Sequence, residues 1–552
     1  MIWYQDAIFY EVYLPSFQDS NGDGMGDLGG VRQRLDYFQD LGIDALWITP
    51  FYQSPGVDNG YDISDHMAID PKYGTMAEFE ALVEEASQRN IKIVVDIILN
   101  HTSDEHPFFL ESRASKNSPK RDWYIWKDAK PDGSPPNNWE GFEKSSWTWD
   151  ETTQQYYYHF HYPQQPDLNW RNPDVVKAMF EICTFWVEKG VAGLRLDAIN
   201  FLLENETFED NPEVDELPEY IQNIYQFKQL PINNIDHPGN HGLLQQLRTE
   251  VSRDRDIDPL LIGEVWVKDA DALSQFYGSG DNELQLPFNF LLSSIQKFEA
   301  GRFYDCLSDS YQALANHPTT VVLSNHDFPR STTRYIPEAH NLAGAKLLAT
   351  LLLTAYGAPF LYYGEELGLR DVPPETLEEV RDPRGHVRWP DYKGRDGCRR
   401  PMPWDSSPNG GFTEGTPWLG TTPSYDTLTV EAQRQDPNSV WNFYKSLITY
   451  RKASPALTHG TCQFAPRSPE ILAYERQDGR DRHWVILNFT ANALTYDLQS
   501  LATLSDDAPS EWAIAVSNLD DRSKESITVS PNQSTALALA PFEALILTPR
   551  QS

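Results

Sequence analysis

Arg195 and Asp197 stand two residues apart in the run GLRLDAIN (193–200), and if that run is a strand both side chains leave it on the same face. A permanent cation beside a carboxylate favours the ionised form, which suits a nucleophile or an electrostatic anchor. A structural ion pair has the same signature, so these two residues alone do not define a chemistry. Other apolar runs end in comparable groups: Asp96, Asn100 and His101 after one, Glu264 in a second, and Asn325, His326 and Asp327 in a third. Glu264 lies between Ile262 and Trp266 with no cation beside it in sequence, and desolvation would keep such a carboxyl protonated. A nucleophilic carboxylate and a protonated carboxyl about 5 to 5.5 Å apart are the pair with which retaining glycosidases attack an anomeric carbon and protonate its leaving oxygen. Asp327 is then a third carboxylate, placed to bind sugar hydroxyls and favour a distorted ring.

Three carboxylates from three strands converge only if the strands run parallel and end at one mouth. The runs IFYEVY (8–13), ALWIT (45–49), KIVVDII (92–98), GLRLDAI (193–199), LLIGEVW (260–266), ELQLPFN (283–289), TVVLSNHD (320–327) and FLYYGEE (360–366) are nearly continuous in apolar residues. Such strands are buried on both faces. Between them lie helical stretches such as MAEFEALVEEASQRN (76–90), where Phe79, Leu82, Val83 and Ala86 keep the spacing of one buried face. Eight strands alternating with helices predict an α/β fold, a (β/α)₈ TIM barrel whose active site lies at the carboxyl ends of the strands. A long irregular stretch after the third strand, rich in Trp, Tyr, Pro, Asn and His, predicts an inserted loop-rich subdomain. After the helix-like NSVWNFYKSLITYRK (438–452), alternating runs such as ILAYERQ and HWVILNFT predict an antiparallel β domain. The expected division is barrel 1–103, insertion 104–172, barrel 173–457 and C-terminal β domain 458–552.

The formal charge of −36, from 45 basic and 81 acidic residues among 552, speaks against nucleic acid or an anionic membrane as partner. Sixteen Trp, 27 Tyr and 26 Phe supply flat apolar surface for sugar rings, although most belong to the core. No secretory signal and no run of membrane-spanning length is visible, so a cytoplasmic protein acting on a small oligosaccharide is expected. Cys183, Cys306, Cys398 and Cys462 lack metal-ligand spacing and read as buried thiols. The run DSNGDGMGD (19–27) offers oxygens at Asp19, Asn21, Asp23 and Asp27 with the Met25 carbonyl between. It resembles the start of a calcium loop, but position 12 falls on Gly30, so it is not an EF-hand. Ca²⁺ in a structural role is expected, with Mg²⁺ as the other oxygen-seeking ion.

The segments DIILNH (96–101), GLRLDAIN, GEVW (263–266), SNHD (324–327) and QPDLNW (165–170), in this order and spacing, resemble the signature regions of the α-amylase superfamily, glycoside hydrolase family thirteen. With GYDISDH (60–66) and GRDGCRRPMPW (394–404), the chain is similar to its oligo-1,6-glucosidase and α-glucosidase group. The resemblance implies Asp197 as nucleophile, Glu264 as acid/base and Asp327 as transition-state stabiliser. It places Tyr61, Asp62, His101, Arg195, His326 and Arg395 around the sugar, with an Asp62–Arg395 ion pair closing the pocket floor and imposing exo action. It likens the 19–27 loop to the small calcium loop of that group, far from the mouth.

Ala198 lies near the leaving-group site in relatives, where Val accompanies α-1,6 preference and Thr or Ala accompanies α-1,4 or broader use. An exo-acting retaining α-glucosidase preferring α-1,4 bonds is therefore expected, with sucrose and α-1,6 bonds as further substrates to test. One departure from the group is His161, in YYYHFHYPQQ, where relatives usually carry Phe; Phe142 is a second wall residue. Two rival readings are a transglycosylase or isomerase of the trehalose or isomaltulose synthase type, and a non-catalytic glucosidase-like binding subunit. The second usually loses the carboxylates, and here all three stand.

Overall fold

The computed structural model describes residues 2–550 apart from 143, 219–227, 257, 315–316, 423–427, 505–508, 520–521, 523–524 and 530–533. Eight parallel strands form its frame: β1 (Phe9–Val12), β2 (Ala45–Ile48), β3 (Lys92–Ile98), β4 (Gly193–Asp197), β5 (Leu260–Val265), β6 (Leu286–Asn289), β7 (Thr320–Val322) and β8 (Ala358–Tyr362). They pair in the order β6-β5-β4-β3-β2-β1-β8-β7. The seam between β6 and β7 is bridged by Thr320, whose hydroxyl accepts the Asn289 N–H at 2.8 Å. Inside, Phe9, Trp47, Val94, Ile262, Phe288 and Phe360 belong to one packed cluster. The chain therefore has the expected TIM-barrel fold with an apolar centre, and the mouth above it is left for polar groups.

Several strands stop earlier than their apolar runs. GLRLDAI is extended only to Asp197, because Ala198 adopts φ 50°, ψ 38°, a left-handed conformation that no strand continues. β7 ends at Val322, so SNHD forms a loop, held where the Asn325 side chain accepts the N–H groups of Asp327 and Phe328 at 2.9 Å. The helix Met76–Gln88 begins with a capping box, the Thr75 side chain and Glu78 each satisfying the other's backbone N–H. Phe79, Leu82 and Ala86 are buried along it, whereas Val83 is half-buried.

The stretch after β3 carries a three-stranded antiparallel sheet (Trp126–Lys127, Trp147–Asp150 and Gln155–Tyr158). At the C-terminus, six antiparallel strands pair in the order Thr461–Phe464, Ile471–Asp478, Asp481–Asn488, Ala544–Pro549, Glu511–Ser517 and Ser526–Thr528, over a core in which Trp484 and Trp512 stack at 3.6 Å. This β domain meets the barrel at the end of the helix Asn341–Thr354. There Arg476 donates to the Thr354 and Ala355 carbonyls at 2.7 and 2.9 Å. Arg451, from the helix Val440–Lys452, donates to the Leu353 and Gly357 carbonyls at 2.7 Å. All four cysteines are free thiols, Cys306 being only half-buried.

Candidate active site

Arg195 is the hub of the mouth. Its Nη1 lies 2.8 Å from Asp96 Oδ1 and 2.7 Å from Asp197 Oδ1, and its Nη2 lies 2.5 Å from Glu264 Oε2. Strand register explains the convergence, since Arg195 stands opposite Asp96 on β3 and Ile262 on β5, and inward positions alternate along each strand. Burial opposes the charge on Arg195, but Asp96, Glu264 and Asp197 outweigh it and raise its pKa well above the ordinary value.

Two expectations change here. Glu264 does have an adjacent cation, the Arg195 guanidinium from the neighbouring strand, and its other oxygen accepts the Trp266 Nε1–H at 2.8 Å. Asp197 is not held low by Arg195. Burial first, and then the facing Glu264 carboxyl, push it well above the ordinary carboxylate range against the pull of Arg195. The Glu264 carboxyl is thus a close neighbour of Asp197 and the largest contributor to that rise after burial. One guanidinium holds both, Asp197 on Nη1 and Glu264 on Nη2, so the two carboxyls are neighbours at the mouth. The left-handed turn at Ala198 aims its N–H at Glu264 Oε2, 3.4 Å away, a strained conformation of the kind that concentrates at functional sites.

Asp327 lines the same pocket as the pair. Burial disfavours its charge, yet the Arg395 and Arg399 guanidiniums outweigh burial and keep it ionised far below the usual range. Arg395 Nη1 and Arg399 Nη2 both grip Oδ1, at 2.8 and 3.0 Å, while Oδ2 lies 3.5 Å from His326 Nε2. Arg395 does not meet Asp62. It pairs at 2.8 Å with Asp58 and with Asp382. The Asp62 carboxylate instead folds the loop, accepting the N–H groups of Val57 and Asp58 at 2.8 and 2.9 Å and the Ser54 hydroxyl at 3.0 Å. The backbone turns between the two aspartates, with φ 51° at Asn59 and 103° at Gly60, and this turn sends Asp58 into the pocket and Asp62 behind it.

His326 is positioned by Glu11 of β1, whose Oε1 lies 2.6 Å from Nδ1, and by the Tyr61 hydroxyl 2.8 Å from Nε2. Tyr61 stacks on His326 with ring centroids 5.4 Å apart. Burial lowers the pKa of His326 to about 3 and of His101 to about 4, so both imidazoles are neutral near pH 7. The pocket is lined by Asp58, Tyr61, His101, Phe142, His161, Ala198, Phe201, Trp266, Phe328 and Arg384 together with the three carboxylates and Arg395. Asp62 is absent from that lining. Asp58, Glu11, Asp382 and Arg399 are the residues that sequence reasoning missed. Asp58 was within reach, four positions from Asp62 in the same run, but Glu11 reads as an interior acid of an apolar strand.

The 19–27 loop lies after β1. Asp19 Oδ1 accepts the N–H groups of Asn21 and Gly22, Asn21 Oδ1 accepts that of Asp23, and Asp23 Oδ1 accepts that of Met25, all at 2.8 to 2.9 Å. Asp27 caps the helix Leu28–Gln33 through the Gly30 N–H. The side-chain oxygens of Asp19, Asn21, Asp23 and Asp27 thus each accept an N–H group and pin the turn; oxygen is the ligand type that a hard cation takes.

A family model of the α-amylase catalytic domain matches residues 11–460. The chain belongs to the α-amylase family and is a glycoside hydrolase. A probable α-glucosidase of Rhizobium meliloti is 39% identical over 507 residues, covering 90% of this chain and 91% of that one. An oligo-1,6-glucosidase of Halalkalibacterium halodurans is 35% identical over 575 residues, covering 99% and 98%. The crystal structure of an α-glucosyl transfer enzyme, XgtA, superposes with a TM-score of 0.90 at 34% identity over the whole of both chains. Among the described residues no helix is long and apolar enough to cross a membrane.

Proposed function

We propose that this chain is a retaining, exo-acting α-glucosidase that removes terminal glucose from short oligosaccharides, α-1,4 bonds first. The observation that carries the reading is the single guanidinium of Arg195 bridging Asp197 and Glu264 beneath a pocket whose far side is tied by Asp58 and Arg395. Asp197 attacks the anomeric carbon as Glu264, acting as the acid, gives a proton to the leaving oxygen. Glu264 then takes a proton from water, which cleaves the glucosyl–Asp197 ester. Asp327, held through one oxygen by two arginines, keeps Oδ2 for the sugar hydroxyls. The Asp58–Arg395 pair favours chain ends over internal bonds. Small Ala198 beside the acid leaves room for α-1,4 acceptors, and sucrose and α-1,6 bonds are the secondary candidates.

A second reading, glucosyl transfer to another sugar, is favoured by the apolar mouth of Phe201, Trp266 and Phe328 and by the likeness to a transfer enzyme. A panel of maltose, isomaltose and sucrose with product analysis tests both. Free glucose as the main product from maltose supports hydrolysis, longer or rearranged sugars support transfer, and no turnover of any substrate rejects both.

Asp19, Asn21, Asp23 and Asp27 with the Met25 carbonyl would hold Ca²⁺, or Mg²⁺, as a clamp on the loop after β1. Chelation would then lower Tm without changing KM. Four unpaired cysteines support a reducing, cytoplasmic setting.

A further inference from the structure

We propose that His101, His161 and Asp167 form a Zn²⁺ site in the wall of the sugar pocket, and that zinc bound there inhibits the enzyme by competing with sugar. One ring nitrogen of each histidine and one carboxylate oxygen of Asp167 all lie within 4.8 Å of one another. Among the described residues this is the one group of three such side chains so gathered.

Each ligand is prepared for a metal. The Asn100 amide is oriented by donating to the Phe201 carbonyl at 2.7 Å and to Asp167 Oδ2 at 3.2 Å, so its Oδ1 faces His101 Nδ1 at 3.0 Å as an acceptor. His101 Nε2 lies between the Gln165 amide nitrogen at 3.0 Å and the Tyr61 carbonyl at 3.1 Å, so with the proton on Nδ1 the Nε2 lone pair is the one offered to a metal. A carbonyl oxygen fixing the tautomer in this way is what supports metal-bound histidines elsewhere. His161 Nδ1 is buried and has no hydrogen-bond partner, a cost that a bound cation would relieve. Its ring is held by aromatic contacts, with centroids 4.7 Å from both His101 and Phe142. Asp167 accepts one N–H on each oxygen, from Phe160 at 3.1 Å and from Asn100, which leaves each oxygen a second lone pair.

Two imidazoles and one carboxylate are zinc ligands rather than calcium ligands. The fourth position opens to the pocket that His101 and His161 line, which is why zinc and sugar exclude one another. Competition rests on the proposed sugar site; zinc binding does not.

The test is calorimetric titration of metal-stripped protein with Zn²⁺ in saturating Ca²⁺, which occupies the 19–27 loop. Wild type is compared with His161→Phe, with His161→Gln in case Phe disturbs folding, and with His459→Gln, since His459 is an exposed neighbour of Asp6 and Asp478. The expected result is one Zn²⁺ per chain, weakened about tenfold or more by either His161 change, unaffected at His459, and displaced by glucose. Binding that survives both His161 changes, or that is lost with His459→Gln, overturns the site. Zinc that binds through His161 but ignores glucose overturns the inhibitory role. Lack of glucosidase activity in zinc-free protein counts against the proposed function alone.

Discussion

Buried arginines occupy two regions of this molecule and are held in opposite ways. In the mouth, Arg195 faces three carboxylates and Arg395 faces Asp58, Asp327 and Asp382. At the junction of barrel and β domain, Arg451 and Arg476 donate to carbonyl oxygens. Burial pushes every one of these guanidiniums toward neutrality. Carboxylates reverse that in the mouth, where both pKa values rise well above the ordinary one. At the junction burial prevails, and Arg451 falls to about 9, as Arg476 also falls below its ordinary value. The mouth arginines therefore organise charge for chemistry, and the junction arginines cap the end of a helix where two domains meet.

Removing the hub should have the largest effect. Arg195→Met leaves Asp96, Asp197 and Glu264 facing one another without a cation, and kcat should fall by roughly 10³-fold or more. Calorimetry should also show a loss of about 3 to 5 kcal/mol, because the buried carboxylates lose their partner. A variant with near-normal kcat would erase the contrast between the two regions. At the junction, Arg451→Met should cost about 3 kcal/mol through lost charge-assisted hydrogen bonds, with kcat/KM of the folded fraction within about twofold of wild type. A large kcat/KM loss there would mean that the domain interface reaches the mouth.

Arg395→Lys sharpens the comparison on a smaller scale. An ammonium keeps the charge but cannot bridge Asp58, Asp327 and Asp382 as a planar fork does, and kcat/KM on maltose should drop by about 10- to 100-fold. Asp58→Asn should follow Arg395→Lys in raising KM, while Asp62→Asn should show chiefly in thermal unfolding. The smallest effect is expected at Glu204, where burial pushes the carboxyl from its ordinary 4.5 up to about 8. The folded protein keeps a proton there that the unfolded chain releases. Its contribution to stability is complete below about pH 4.5 and lost as pH rises through about 8. Glu204→Gln should therefore lose less Tm between pH 5 and pH 9 than wild type; an unchanged slope would place that pH dependence elsewhere.

The barrel was legible because strands buried on both faces must be apolar runs, and the three carboxylates because each interrupts or ends one. What sequence could not convey depends on neighbours brought together by register or by a turn. The cation on Glu264 comes from position 195 on the adjacent strand, so a search of sequence neighbours finds none. Asp58 and Asp62 are equivalent in composition and spacing, and only the left-handed turn at Asn59 and Gly60 decides which one meets Arg395. Arg451 and Arg476 read as ordinary surface-compatible residues until the helix end that they cap is known. His161 was legible as a departure, yet its buried, unpartnered nitrogen was not.

The central claim is that Asp197 and Glu264, clamped on Arg195, act as nucleophile and acid in a double displacement. Proton NMR of the first glucose released from p-nitrophenyl α-glucoside, before mutarotation, tests it most directly. The account predicts the α-anomer; β-glucose as the first product would show a single inverting displacement and contradict it.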